Sequence, residues 1–365
     1  MILTIFFVLL ALSILILVHE FGHFWVAKKN GIWVEEFGLG LPPRLWGRRR
    51  GETLYSINLL PIGGFEKLHG EVTGDEASVP KRAFINKSKK VRFAVTSAGI
   101  IMNLIFAILA FATYYSFAGF PRVSDTVKVV EVSPGSPAQI AGFLPDDVIK
   151  SVNSIQVHSN DDFISLVEEN KGQKIKIETQ RETITVTPRV EAPEGEGLLG
   201  VVITTPVETY FPPLWQRPFL GIYQGFKDAL FLGKAILVGL GGFANDVSKG
   251  QLPKEVLGPV GILAVMVYFL RVGVLPFINF LGLISVNLAV LNLIPFPPLD
   301  GSRLLFIGIE GILGKKILPK FEAAVHTIGM IILILIMLFF TSREIPRLIS
   351  EGSITGFIES TLPVK

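Results

Sequence analysis

Residues 2–27 form one apolar run whose only titratable side chains are His19, Glu20 and His23. At about 1.5 Å per residue a helix of this length exceeds the ~30 Å hydrocarbon core of a bilayer. In lipid the backbone must satisfy its own polar groups, so the run is expected to fold as a membrane-spanning helix. Ionisable groups in that setting are costly and by default functional. On a helix, positions four apart share a face, so His19 and His23 can offer two imidazoles to one metal ion. Glu20 sits beside them as a built-in general base, and the H-E-F-G-H spacing reads as a zinc site. The bland alternative is a structural helix with two packed histidines, since so short a pattern recurs by chance.

Composition narrows the chemistry. The chain holds no cysteine, which excludes disulfides, thiolate metal ligands and a cysteine nucleophile. Any metal must be bound through nitrogen and oxygen. A net charge of +3 gives no reason to expect a nucleic-acid partner. Half of the residues are hydrophobic and 18% charged, which suits a membrane protein carrying a polar domain. The first apolar run has no basic segment before it and no small-residue cleavage pattern after it, so it is expected to be retained and not removed as a signal peptide.

Residues 28–92 carry thirteen Lys or Arg against seven Asp or Glu. By the positive-inside rule this loop is cytoplasmic, which puts the histidine motif near the inner end of the first span. Within the loop, 32–41 and 53–67 have strand-like content punctuated by Gly and Pro, and short β-hairpins are expected there. The apolar stretch from Leu59 to Phe65 should dip into the membrane interface. Residues 91–117 are a second span, returning outward. Residues 123–205 change texture to alternating polar strands, and Ser136 to Asn153 (S-P-A-Q-I-A-G-F-L-P-D-D-V-I-K-S-V-N) resembles a bacterial PDZ domain, with Asp146 where a Gly is usual. The Pro- and aromatic-rich 206–219 reads as an interfacial linker. Residues 219–243 are apolar but interrupted by Lys227, Asp228 and Lys234, and are expected to lie along the interface as an amphipathic helix. A further apolar helix opens at Gly258 (G-P-V-G-I). Spans three (274–294) and four (323–340) follow, separated by a basic, cytoplasmic loop.

The expected fold is therefore a polytopic α-helical membrane protein. It has four transmembrane helices, a membrane-associated β-hairpin region and one inserted PDZ-like α+β domain. The expected divisions are a first membrane part (1–122), the PDZ-like domain (123–205), a linker with interfacial helices (206–272) and a second membrane part (273–365).

A catalytic zinc usually has three protein ligands and one open position. Spans one and three run in the same direction, and Pro295 to Gly301 (P-F-P-P-L-D-G) follows the inner end of span three. Asp300 is thus expected at the depth of His19 and His23, with the prolines breaking the helix before it. Broken backbone at that depth is tolerated where it lines a cavity. Of the other histidines, His69 and His158 read as ordinary loop and domain residues, and His326 as an ordinary helix residue or a group behind the metal ligands. Asn287 and Asn292 on span three can serve interhelical hydrogen bonding, and Asn292, next to the proline run, is the stronger candidate for a role at the site.

At this point the chain resembles the site-2 protease family of intramembrane zinc metalloproteases, specifically its bacterial RseP-type group. The resemblance rests on H-E-F-G-H at His19, P-I-G-G-F-E-K at Pro61, the PDZ-like insertion, G-P-V-G-I at Gly258 and N-L-I-P-F-P-P-L-D-G from Asn292. It implies zinc as cofactor, His19, His23 and Asp300 as its ligands, Glu20 as general base, and Asn292 beside them in the reaction. It also implies substrate contact at Ile62, Gly63, Gly64 and Phe65, whose loop in the family is a membrane-associated hairpin, and at Asn287. The implied setting is the bacterial inner membrane, with the active site near the cytoplasmic side and the PDZ-like domain outside. The implied partners are the lipid bilayer and transmembrane protein substrates, trimmed by an earlier protease in regulated intramembrane proteolysis, such as anti-sigma factors or signal-peptide remnants. Two departures are Ser302, where many members have a second Gly, and room for one PDZ domain only. Two rival readings are a membrane-anchored PDZ adaptor with a vestigial zinc site and a metal transporter. An intact Glu20 argues against both, because neither needs a base beside the metal.

Overall fold

The structure, a computed structural model, describes residues 2–71, 78–193, 195–250, 257–314 and 319–361. It divides into two units, 1–118 with 214–365, and the inserted 119–213.

The first unit begins with α1 (Ile2–Lys29), whose last turn carries Lys28 and Lys29. There follow two long strands, β1 (Val34–Arg50) and β2 (Thr53–Leu68). Each doubles back on itself. Phe37 pairs with both Tyr55 and Glu66, and Gly38 with both Ser56 and Phe65. Residues 44–50 pair in turn with 53–58, so the lateral order is 44–50, 53–57, 36–39, 64–68. The two expected hairpins are thus one small sheet, and 64–68 is its edge, with no second partner among the described residues. This edge runs beside α1: the Gly63 N–H donates to Ser13 Oγ at 3.2 Å, and a side chain at Gly64 would meet Leu17. At the far turn Arg82 grips the Glu52 carboxylate with two N–H groups at 2.6 Å, which hold that carboxyl below the usual range.

Helix α2 (Lys89–Ala118) runs antiparallel to α1, with Gly22 against Ala98 and His23 against Val95.

The inserted unit opens with β3 (Phe120–Val123) and closes with β10 (Val207–Tyr210), which pair with one another. Between them lie β4 (Val127–Val132), α3 (Pro137–Ala141), β5 (Val148–Val152), β6 (Ile155–Gln156), α4 (Asn160–Glu169), β7 (Ile175–Thr179), β8 (Thr183–Val186) and β9 (Val201–Thr204). The sheet order is β8-β7-β5-β4-β9, with β6 against β5. Its core is apolar: Val127, Val129, Ile149, Val152, Ile175 and Ile177 are buried with Phe143 and Phe163. The S-P-A-Q-I-A-G stretch is α3 with its caps. Ser136 Oγ accepts from the Gln139 N–H, and Gly142 ends the helix at φ 93°. Asp146 takes φ 74°, the left-handed conformation that a Gly there would adopt freely. Its N–H donates to Val129 C=O and its carboxylate meets Lys128 Nζ at 2.7 Å, so local bonds hold the conformation.

The membrane part resumes with α5 (Arg217–Ser248), α6 (Pro259–Val272), α7 (Val274–Leu293), α8 (Asp300–Leu313), α9 (Pro319–Ser350) and α10 (Ile354–Thr361). Residues 219–243 belong to a single 32-residue helix, so among the described residues five helices, where four were expected, are long and apolar enough by length and composition to cross a membrane. Gly221 and Gly225 press against the backbone of α2: a Cβ on either would lie 2.7 Å from the carbonyl oxygen of Ala112 or Ile108. Gly233 faces Val286 and Val290 of α7. Small residues four apart that let backbones approach are the usual means of packing helices in lipid. The charges that disguised α5 are partly absorbed by this contact, since Asp228 accepts from Tyr115 of α2 at 2.5 Å and from Gln224 at 2.8 Å.

Helix α7 is also antiparallel to α2, through Gly282 against Phe111 and a Ser285 Oγ–H donated to the Asn103 carbonyl at 2.8 Å. Helices α1 and α7 therefore run in the same direction, both packed against α2. The chain then turns through Pro295, Pro297 and Pro298 into α8. A buried ion pair between Arg92 of α2 and Glu310 of α8, with Lys89 Nζ on the Glu310 carbonyl at 2.6 Å, ties the new helix down.

Candidate metal centre

Three side chains converge where α1, α2 and the start of α8 meet. His19 Nε2 and His23 Nε2 lie 3.1 Å apart, and Asp300 Oδ2 is 3.0 Å from the first and 3.2 Å from the second. Both histidines are buried. Despite these short distances, Asp300 Oδ2 is buried and makes no aligned hydrogen bond. A tetrahedral ion about 2.0–2.1 Å from each of three such atoms would hold them about 3.3 Å apart. The donor set suits a metal: two imidazole nitrogens and one carboxylate oxygen, the last with no hydrogen bond of its own to explain its place.

The tautomers fit as well. A histidine that ligates through Nε2 must carry its proton on Nδ1, and usually donates it to a second group. The His23 Nδ1–H donates to Val95 C=O at 2.8 Å. His19 Nδ1 lies 3.2 Å from the side-chain amide of Asn103, which is fully buried. The Asn103 Oδ1 otherwise has no partner. Turning that amide so that Oδ1 accepts from the His19 Nδ1–H satisfies both groups and leaves the Nε2 lone pair facing Asp300.

Gly99 is the other contribution of α2. A Cβ there would stand 2.3 Å from His23 Nε2 and 2.7 Å from His19 Cε1, so only a glycine lets the helix pass this close to both rings. We expect Gly99→Val to lose its zinc outright. Asn103→Leu, which frees the His19 ring, should weaken zinc about 10- to 100-fold. Metal content after dialysis against graded chelator measures both, and wild-type retention in Asn103→Leu would sever Asn103 from the site.

Glu20 lines the same cavity, of about 130 Å³, with Glu66, Leu68, Glu71, Phe84, Thr96 and Arg303. Arg303 is ion-paired with Glu71, and these two also border a larger cavity of about 500 Å³ that holds Pro298, Glu322 and His326. His326 lies 3.4 Å from Ser302 Oγ and faces this second space, away from the three convergent atoms. His69 is engaged with Glu35 at 2.7 Å, and the His158 N–H donates to Asp162.

The remaining candidates are placed as follows. Gly64 and Phe65 lie on the edge segment of β2 and Gly63 directly before it, beside Ser13, Ile16 and Leu17 of α1; the side chain of Ile62 lies outside the described residues. Asn287 and Asn292 are half-buried on α7 and do not line the cavity. The asparagine at the site is Asn103, which reading the sequence missed. Its signal was available, a lone amide four residues after Gly99 in an apolar helix, but nothing in the sequence says which face of α2 meets α1.

Comparison with known proteins agrees with this geometry. The family whose pattern matches is peptidase family M50, over residues 7–336. A Clostridium perfringens chain is 36% identical over 344 residues, 93% of this chain and 98% of its own; zinc metalloprotease is the activity its name proposes. The zinc metalloproteases named RasP from Oceanobacillus iheyensis and Shouchella clausii are 26% and 28% identical, over 94% and 93% of this chain and 99% and 97% of theirs. The chain belongs to peptidase family M50, the site-2 protease family. It is a multi-pass membrane zinc metallopeptidase, and its cofactor is zinc.

Proposed function

We propose that this protease cuts peptide bonds within or near transmembrane segments of membrane proteins already shortened by a first cleavage, in the bacterial cytoplasmic membrane. The observation that carries the reading is the convergence of His19, His23 and Asp300 beside Glu20, on a helix apolar enough to cross a bilayer. Anti-sigma factors and signal-peptide remnants are the substrate types that this reading favours. The basic 28–92 loop argues for an active site on the cytoplasmic side, and for the inserted unit outside.

His19, His23 and Asp300 hold the ion, and Val95 C=O and Asn103 keep the two rings turned toward it. When bound, zinc supplies Lewis acidity at that point and makes water a nucleophile near neutral pH. Glu20 takes the proton of the attacking water and delivers it to the leaving amine. Glu71 and Arg303 neutralise one another at the mouth of the cavity. Asn287 and Asn292 are assigned to substrate on the α7 side. The edge segment of β2 receives the unwound substrate by strand addition, which replaces the hydrogen bonds lost from its helix. The inserted unit is read as a PDZ-like module. Its groove of about 330 Å³ between α4 and the edge strand β9, lined by Phe163, Val167, Leu199 and Ile203, suits a trimmed substrate end.

Purified protein in liposomes should cleave a transmembrane helical substrate, stop on zinc chelation and recover when zinc is returned. Cleavage that survives complete removal of the metal would refute the assignment. The strand-addition step has its own test. Gly63→Pro removes the N–H given to Ser13 and forbids the φ of 82° found there, so it distorts the start of the edge. We expect it to keep zinc, to lose most cleavage of a stable helix, and to lose less on a substrate already loosened by Gly or Pro. Equal losses on both would leave the sheet a structural role only.

A further inference from the structure

Glu66 has no part in the chemistry above, yet it points into the metal cavity. Alternation along the edge segment explains how it gets there. Successive side chains in a strand face opposite sides, so Gly64, Glu66 and Leu68 share one face and Phe65 and Lys67 the other. Gly64 lies against Leu17 of α1, and Leu68 is buried in a cluster with Ala27 of α1. Glu66 between them therefore faces α1, and it lines the cavity with His19, Glu20 and His23. Its Oε2 is buried and has no hydrogen-bond partner among the described residues.

A buried carboxylate oxygen without a partner is costly, so a fold that keeps one at the end of a substrate path points to a partner that arrives with the substrate. The surroundings say which kind. The cavity carries the carboxylates of Glu20, Glu66, Glu71 and Asp300; Arg303 is already engaged by Glu71, and the charge of a zinc ion would be met first by its ligand Asp300, which leaves Glu66 with no cationic side chain of its own. On its inner side, the strand neighbour of Glu66 is Phe37, which offers no donor. On its open side, a paired segment would set one residue opposite Glu66 at about 4.5–5.5 Å between Cβ atoms, on the same face. That residue would point into the cavity.

We infer that Glu66 is a specificity-determining residue, which selects substrates carrying a hydrogen-bond-donating cationic side chain, lysine above all, at the position opposite it and next to the cleaved bond. This rests on the strand-addition reading above. A lysine at that point would meet a desolvated carboxylate, and charge-assisted bonds of that kind are about twice as strong as neutral ones. Within a transmembrane segment the same lysine is otherwise costly, so the pair offsets a cost the substrate already carries.

The test is a set of transmembrane substrates in which a single lysine, or the near-isosteric methionine, is placed at each position around the cleavage site. With wild-type protein we expect one position at which lysine raises kcat/KM about tenfold over methionine. Glu66→Met should erase that preference and still cleave the methionine substrate with full zinc. Glu66→Gln should keep only part of it, and Glu66→Lys should reverse it in favour of a glutamate substrate. Absence of any lysine-preferring position in wild type, or an unchanged preference in Glu66→Met, would overturn the inference. So would loss of zinc in both Glu66→Met and Glu66→Gln, since it would make Glu66 part of the construction of the metal site. Wild type that cleaves none of the substrates would instead refute the protease reading itself.

Discussion

Replacing Glu20 by glutamine is expected to reduce peptide hydrolysis about 10³-fold while zinc content and fold stay at wild-type levels. The side chain is half-buried in the metal cavity, one position along α1 from His19, and it is not among the three convergent ligand atoms. Glutamine keeps its size and an oxygen but cannot accept and carry a proton. General acid–base groups contribute about 10²–10⁴ in rate, and in a cavity of about 130 Å³ there is little room for bulk water to take over the transfer. Rates measured on a purified transmembrane substrate, with metal analysis of the same sample, decide the matter. Undiminished cleavage would remove Glu20 from the reaction. Loss of zinc together with activity would mean that the carboxylate holds the ion and does not serve as a base.

Asp300→Ala should have a comparably large effect of another kind: zinc falls from about one equivalent to a small fraction of it, and activity falls with it. Two imidazoles on one helix remain, but a three-ligand site becomes a two-ligand one. The fold should survive, because α8 keeps the buried Arg92–Glu310 tie and Lys89 on the Glu310 carbonyl. Position 301 must stay free of a side chain, however. A Cβ on Gly301 would lie 2.2 Å from the Ile294 carbonyl oxygen, so Gly301→Val would displace α8 and carry Asp300 away from the histidines. Helical content by circular dichroism separates the two: Asp300→Ala should match wild type while its zinc is gone. Full zinc in Asp300→Ala would break the proposed ligand set.

The site shows how a water-dependent reaction is housed in an apolar frame. Helix α2 supplies no ligand, yet it sets the geometry. Gly99 admits the two rings, Val95 and Asn103 orient them, and Asn103 is itself held by Ser285 of α7 through its carbonyl. A single buried layer thus links α1, α2 and α7. The sheet formed by β1 and β2 closes the other side and carries Glu66 and Leu68 to the cavity.

Some of this follows from sequence alone, because the signals are local. An apolar run of span length with histidines four apart can be read without knowing its neighbours: helical periodicity puts both rings on one face, and the cost of charge in lipid marks them as functional. The prolines before Asp300 likewise announce broken backbone wherever they fall. What tertiary structure alone decided was contact between faces. Residues 219–243 read as a helix from sequence, but that Gly221 and Gly225 pack on α2, with Asp228 bonded to Tyr115, is visible only in the folded chain. Two strand-like runs do not reveal that residues 36–39 pair on both sides and leave 64–68 as the edge, since register depends on partners far along the chain. Asn103 and Glu66 are an unremarked amide and an unremarked acid in sequence. Each becomes part of a site only because close packing brings its side chain there, Asn103 against the His19 ring and Glu66 with an unpaired oxygen into the cavity.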